Sequence, residues 1–227
     1  DCNSAMGLKT NAFKMLADTL SAHRISSYRY DKRGIGKSSP VKEANLRVQD
    51  FVQDAMAIVD YFSNDFQEIT ILGHSEGVLI ASMVASQTSE VKALIGVSGT
   101  AVSLDSIVLN QLATYPSIVA EARRHITEIK NGEPLSEVFP LLAPLFRESV
   151  VPYLKSSFEL EPVEEYTKVA QPVLTIGGGC DIQVPAWHAE ALHTAHANST
   201  MLINDNMGHV MKKLRLDCSD GMGAYND

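Results

Sequence analysis

Three residues in this sequence have the types, order and surroundings for nucleophilic catalysis: Ser75, Asp181 and His209. Ser75 lies in Gly73-His74-Ser75-Glu76-Gly77, a Gly-x-Ser-x-Gly pentapeptide. The apolar run Ile69-Thr70-Ile71-Leu72 leads into it, and residues 78–85 follow as a helix candidate. Strand, glycine-flanked serine and helix are the context that gives this pentapeptide meaning. A serine on so sharp a turn occupies strained backbone, and Gly73 and Gly77, which carry no side chains, are expected to let the turn close. The Ser75 hydroxyl then stands above the sheet edge. The backbone N–H of Glu76, at the helix start, is the candidate donor to a developing oxyanion.

A serine hydroxyl is a poor nucleophile until a base takes its proton, and that base needs an acid to orient it. Asp181 follows the strand-like stretch 172–179, and His209 follows the strand-like stretch 200–203, so both fall at strand ends. A parallel sheet gathers such positions at its carboxyl edge. Ser75 is the expected nucleophile, His209 the proton shuttle, and Asp181 the group that holds the imidazole tautomer and stabilises its cation. Asp205, four residues before His209, is a rival for the acid but stands less well to reach the far side of the imidazole.

These residues need a sheet to position them, and the chain reads as one. Phe13, Leu16, Ala17 and Leu20 form one helical stripe; Phe51, Ala55, Ile58, Val59 and Phe62 form another across about 45–64. Strands are expected at 25–30, 69–72, 91–99, 172–179 (running into a glycine turn) and 200–203, with a further helix from Pro185 to about Ala197. The alternation argues for a parallel sheet covered on both faces. Residues 100–168 break the rhythm. Six prolines punctuate them, yet apolar pieces at 107–112, 138–145 and 150–154 are too numerous to stay solvated. Short helices forming a cap over the sheet edge are expected there, leaving 1–99 and 169–227 as the core.

Composition narrows the partners. With 45% hydrophobic and 20% charged residues, 227 residues suffice for one sizeable core. A net charge of -8 disfavours nucleic acid and anionic membranes, and no apolar run has the length to span a bilayer. Cys2, Cys180 and Cys218 are odd in number and widely spaced, so they suggest neither a disulfide framework nor a metal motif; Cys180 reads as a small buried residue. Residues 1–10 show neither signal-peptide character nor an initial methionine, so residue 1 is not expected to be the native start.

Other signals carry less. Gly34-Ile35-Gly36-Lys37-Ser38 has the ending of a phosphate loop, but the position that needs glycine is Asp31. His188, His193 and His196, spaced by five and three, are expected on a solvated helix face rather than around a metal. His74 is expected to line the pocket or bond to a neighbour, not to act as the base. The Glu76 side chain is expected to point outward or bond nearby.

The sequence resembles the α/β-hydrolase superfamily, within it the serine esterases and serine-aminopeptidase-like hydrolases. The resemblance rests on Gly73–Gly77 of the pentapeptide, Arg29-Tyr30-Asp31-Lys32-Arg33-Gly34-Ile35-Gly36-Lys37-Ser38, Gly179-Cys180-Asp181-Ile182-Gln183-Val184-Pro185 and Gly208-His209, in order from about residue 10 to 212. It implies an α/β-hydrolase fold with a helical cap and acyl transfer through a covalent acyl-enzyme, without metal or cofactor. It also implies a hairpin and a further central strand ahead of residue 1, whose exit loop supplies a second oxyanion donor, with Asp1-Cys2-Asn3-Ser4 as that loop's tail. A closing helix would follow the histidine, so either the chain is a piece of a longer one or the missing pieces come from elsewhere. A carboxylesterase acting on small acyl esters is the favoured reading; a serine peptidase or acyl thioesterase shares the same residues. A peptidase would draw on Glu148, Glu159, Glu161, Glu164 and Glu165 for a free amino terminus. A non-catalytic binding protein of this fold is the reading from a different class, and an eroded triad would mark it.

Overall fold

In the computed structural model, residues 10–215 and 217–220 are described. The expected oxyanion tail at residues 1–4 lies outside them. Four parallel strands make the sheet: β1 (Ile69–His74), β2 (Val91–Val97), β3 (Val173–Gly178) and β4 (Ser199–Asn204). Their spatial order is their chain order, β1-β2-β3-β4. The register sets His74 against Val97, Val97 against Ile176, and Gly178 against Asn204, so all four strands end along one edge.

Strands added in one direction by right-handed crossovers place their connecting helices on one face. Here α3 (Glu76–Ala85) packs on β1 and β2, and α8 (Trp187–Ala195) packs on β3 and β4, with α7 (Pro162–Thr167) between them. Helix α2 (Val48–Ser63) lies outside α3. Residues 78–85 of α3 are all buried, as expected of a helix covered by both a sheet and a second helix. The core joins Phe51, Val52, Leu79, Val84, Leu94, Tyr166, Val173 and Leu192. At the end of β1 on the opposite side, Phe13 of α1 (Ala12–Ala22) stands edge-on to His74 at 5.7 Å. On β4 that side shows Thr200 and Leu202 exposed.

The strand expected at 25–30 does not form. Ile25 and Tyr28 are 53% and 60% exposed, and no strand among the described residues pairs with the segment. A β-pattern becomes a strand only when a neighbour takes its backbone hydrogen bonds. Tyr28 instead packs its ring on Phe62, 4.9 Å away. The basic loop that follows is structural: Arg33 grips Asp54 through Nε at 2.7 Å and Nη2 at 2.5 Å, and reaches Asp50 at 2.9 Å. Asp31, where a phosphate loop would need glycine, accepts the loop's own Lys37 N–H at 3.0 Å.

Between β2 and β3 the chain forms α4 (Leu104–Gln111), α5 (Pro116–Asn131), α6 (Val151–Phe158) and α7. The segment 138–145 is turns rather than a helix, and α5 is a helix of 16 residues rather than a short piece. Val108, Ala122, Ile126, Ile129, Leu142, Phe146, Leu154 and Phe158 make a second apolar cluster. Polar ties join this unit to the sheet side. The Val48 N–H, at the start of α2, donates to Ser156 at 3.1 Å, and Arg147 pairs with Glu43. Helix α7 rejoins the main core, where the Tyr166 hydroxyl meets Thr175 at 2.6 Å.

Candidate active site

The elbow follows β1 directly. Ser75 has φ 56° and ψ -125°, outside the conformations that side-chain-bearing residues prefer. Such strain persists only where the surroundings enforce it, and functional sites are where it collects. The Ser75 N–H donates to the Val97 carbonyl at 2.9 Å, and its own carbonyl accepts from Val78 at 3.0 Å. Gly73 is required, since a Cβ there would lie 2.2 Å from the Gly77 carbonyl oxygen. Gly77 is not: a Cβ there meets nothing within 4 Å, so only one of the two glycines lets the turn close. The Glu76 N–H is the first of α3, where an amide has no carbonyl partner within the helix.

Asp181 and His209 come together as expected. Asp181 Oδ2 lies 2.9 Å from His209 Nδ1, with the Asp181 side chain 0% and the His209 side chain 8% exposed. The other carboxylate oxygen accepts the N–H groups of Gln183 at 3.0 Å and Val184 at 2.8 Å. Burial, the largest influence, pushes the Asp181 carboxyl up; its bonds to His209 and Val184 and the His209 charge outweigh it and hold the group below the usual range. Asp205, the rival acid, is exposed. Its backbone packs beneath Gly179, while Gly178 meets the next turn of the same loop. A Cβ on Gly178 would lie 2.2 Å from the Met207 carbonyl oxygen, so glycine lets the loops carrying Asp181 and His209 touch.

His74 joins the pair to the elbow. Its Nε2–H donates to the His209 carbonyl at 2.6 Å, and the two rings lie 4.9 Å apart. Burial and the nearby His209 push the His74 imidazole down to about 4.

Four features escaped the sequence. Cys180 and Cys218 form a disulfide with a Cα–Cα separation of 5.3 Å, contrary to the expectation that the cysteines pair with nothing; Cys180 is buried, as expected. His188 and His196 are 2% and 6% exposed rather than solvated. His188 Nδ1 accepts the Ala101 N–H at 3.0 Å, and His196 Nε2 bonds the Val169 carbonyl at 2.7 Å. Tyr153 of α6 donates to Glu76 Oε1, and Lys32 stands 3.7 Å from Oε2, so the residue after Ser75 binds the inserted helices. Burial beside the Glu76 carboxylate pushes the Tyr153 phenol far up, which keeps it a donor. No signal in the sequence pairs Tyr153 with Glu76, because 77 residues separate them.

A family model described as serine aminopeptidase, S33 matches residues 5–135, more than half of the chain. This chain belongs to that family. Its fold is that of the α/β-hydrolases. A lipase-esterase related protein from Clostridium acetobutylicum ATCC 824 is 16% identical, with a TM-score of 0.61 over 96% of this chain and 88% of that one. Est1E from Butyrivibrio proteoclasticus, solved with ferulic acid bound, is 20% identical, with a TM-score of 0.62 over 94% and 80%. A bromoperoxidase from Bacillus anthracis is 18% identical, with a TM-score of 0.62 over 90% and 82%. Identities this low speak for the fold alone. No curated protein matches the chain. Among the described residues no helix is long and apolar enough to cross a membrane.

Proposed function

We propose that this protein is a carboxylesterase that cleaves small acyl esters with Ser75, His209 and Asp181. The observation that carries the reading is the buried Asp181–His209 bond, formed at the strand edge that also bears the strained Ser75. Asp181 occupies Nδ1 of His209, which leaves Nε2 to accept the Ser75 proton. Ser75 Oγ attacks the ester carbonyl, and the Glu76 N–H stabilises the oxyanion. The tetrahedral intermediate collapses as the imidazolium gives its proton to the departing alkoxide, leaving an acyl-serine. Water, deprotonated by His209, attacks the acyl group, and Ser75 recovers its proton as the carboxylic acid leaves. The balance is ester plus water to acid plus alcohol.

Residues 100–168 act as a cap in this reading, with their own apolar cluster and the Tyr153–Glu76 bond beside the nucleophile. An apolar cap suits acyl groups of modest size. The esterase and lipase names of similar structures support the ester reading. A serine aminopeptidase is the second reading, favoured by the family's description. Of the acidic residues it would use, Glu165 is drawn to Lys168 at 2.7 Å. The test is a chain-length ladder of aryl esters beside aminoacyl arylamides and acyl thioesters. Turnover of short esters above the others supports the proposal, and preference for aminoacyl amides replaces it with the second reading.

A further inference from the structure

We propose that His74 is a positioning residue for His209, its Nε2–H holding the His209 backbone carbonyl so that the imidazole stays on Asp181 and beside Ser75. The inference rests on the triad reading above and adds a residue to it.

The geometry is specific. His74 ends β1, and its side chain leaves the sheet on the face opposite Gly73, which meets α3. There Phe13 stands edge-on to the ring at 5.7 Å and limits its rotation. A carbonyl only accepts, so the 2.6 Å contact fixes the proton on Nε2 of His74. His74 stays neutral through most of the working range, and burial is the largest cause. The groups whose charge reaches it are His209 and Asp181. A neutral donor can hold the carbonyl without placing a second cation beside the imidazolium that His209 becomes during turnover.

The loop needs this support. Residues 205–213 leave β4 and return through backbone bonds from Met207 to Asn204, Gly208 to Lys212, and Leu214 to Asn206. These close the loop on itself, and Met207 accepts the Cys180 N–H at 3.1 Å, which ties it to the Asp181 loop; none of these bonds reaches β1. The Asp181 bond sets the tautomer and direction of the His209 ring, but a ring can keep one partner while its backbone drifts. The His74 bond pins that backbone to the strand that carries the nucleophile, across 135 residues of sequence. A misplacement of about 1 Å between reacting groups is enough to cost rate heavily.

The test compares His74→Leu and His74→Gln in the full chain. The glutamine amide nitrogen reaches about where Nε2 stands; leucine fills space without a donor. Two readouts are taken: kcat and KM on the preferred aryl ester, and the downfield imidazole N–H resonance of the Asp181–His209 pair. His74→Leu is expected to lower kcat about 10–100-fold with KM within about 3-fold, and to broaden the resonance. His74→Gln is expected to recover kcat to within about 5-fold and to sharpen the resonance. If His74→Leu does not fold, His74→Asn, whose amide is too short to reach, takes its place. Parental kcat and resonance in the donor-free variant overturn the proposal. A loss that glutamine does not rescue also overturns it, since packing against Phe13 would then be the role. The resonance needs no turnover, so a parent that hydrolyses no ester defeats the carboxylesterase reading while His74 is still tested.

Discussion

Asp181 and His209 share a 2.9 Å hydrogen bond between two loops that leave neighbouring strands, and both side chains are nearly closed to solvent. Asp181 spends its other oxygen on two backbone amides, so the carboxylate is fixed before the histidine arrives. Asp181→Asn keeps the shape and can still accept both amides through its one oxygen, but it no longer demands a proton on Nδ1. The expected outcome is a fall in kcat of about 10³–10⁴-fold with KM nearly unchanged. Steady-state kinetics on an aryl ester beside a circular dichroism spectrum check it; a variant within about 10-fold of the parent would remove Asp181 from the mechanism.

The Cys180–Cys218 disulfide closes 38 residues of chain that include both Asp181 and His209. A crosslink of that span restricts the unfolded chain and is worth about 3–4 kcal/mol. Cys218→Ser, or the parent in reductant, is expected to unfold at lower urea by that amount. Activity should survive at low temperature, because backbone bonds such as Cys180 to Met207 already join the two loops. Urea titrations with and without reductant measure it; coincident midpoints would show that the crosslink contributes nothing.

Acid should weaken the fold in a defined window. His74 and His188 are each pushed down to about 4, burial being the largest cause for both. Unfolded histidine titrates near 6.5, so above that pH neither state takes a proton and the term is constant. Between about 6.5 and 4 the unfolded chain binds protons that the native protein refuses, and stability falls as pH falls. Below that, the depressed Asp181 carboxyl adds its own loss as pH drops through its folded value. Urea unfolding at pH 7.5 and 4.5 should differ by about 5 kcal/mol, about 2.5 from each histidine. His188→Phe should flatten the slope whatever it does to stability at neutral pH. An unchanged slope would contradict the assignment of a neutral, buried His188.

Ser75, Asp181 and His209 stand out as candidates because each follows a strand whose apolar pattern is continuous, and a parallel sheet brings such positions to one edge; the Asp181–His209 contact is the part of that arrangement the structure shows. The expected strand at 25–30 had the same kind of pattern but finds no partner among the described residues, so periodicity alone overstated it. Helix α5 is hard to read from sequence because prolines punctuate the segment, although Pro116 at its first position and Gly132 at φ 72° are start and stop signals. His188 and His196 were misplaced on a polar face because their partners are backbone groups of distant segments, which leave no spacing rule. The disulfide and the Tyr153–Glu76 bond failed to show for the same reason.

The measurement that tests the central claim most directly is covalent labelling with a fluorophosphonate, followed by intact-mass and peptide analysis of the parent and Ser75→Ala. The account predicts one adduct per chain on Ser75 and none in the variant. An adduct on another residue, equal labelling of the variant, or a well-folded parent that takes no label would contradict it.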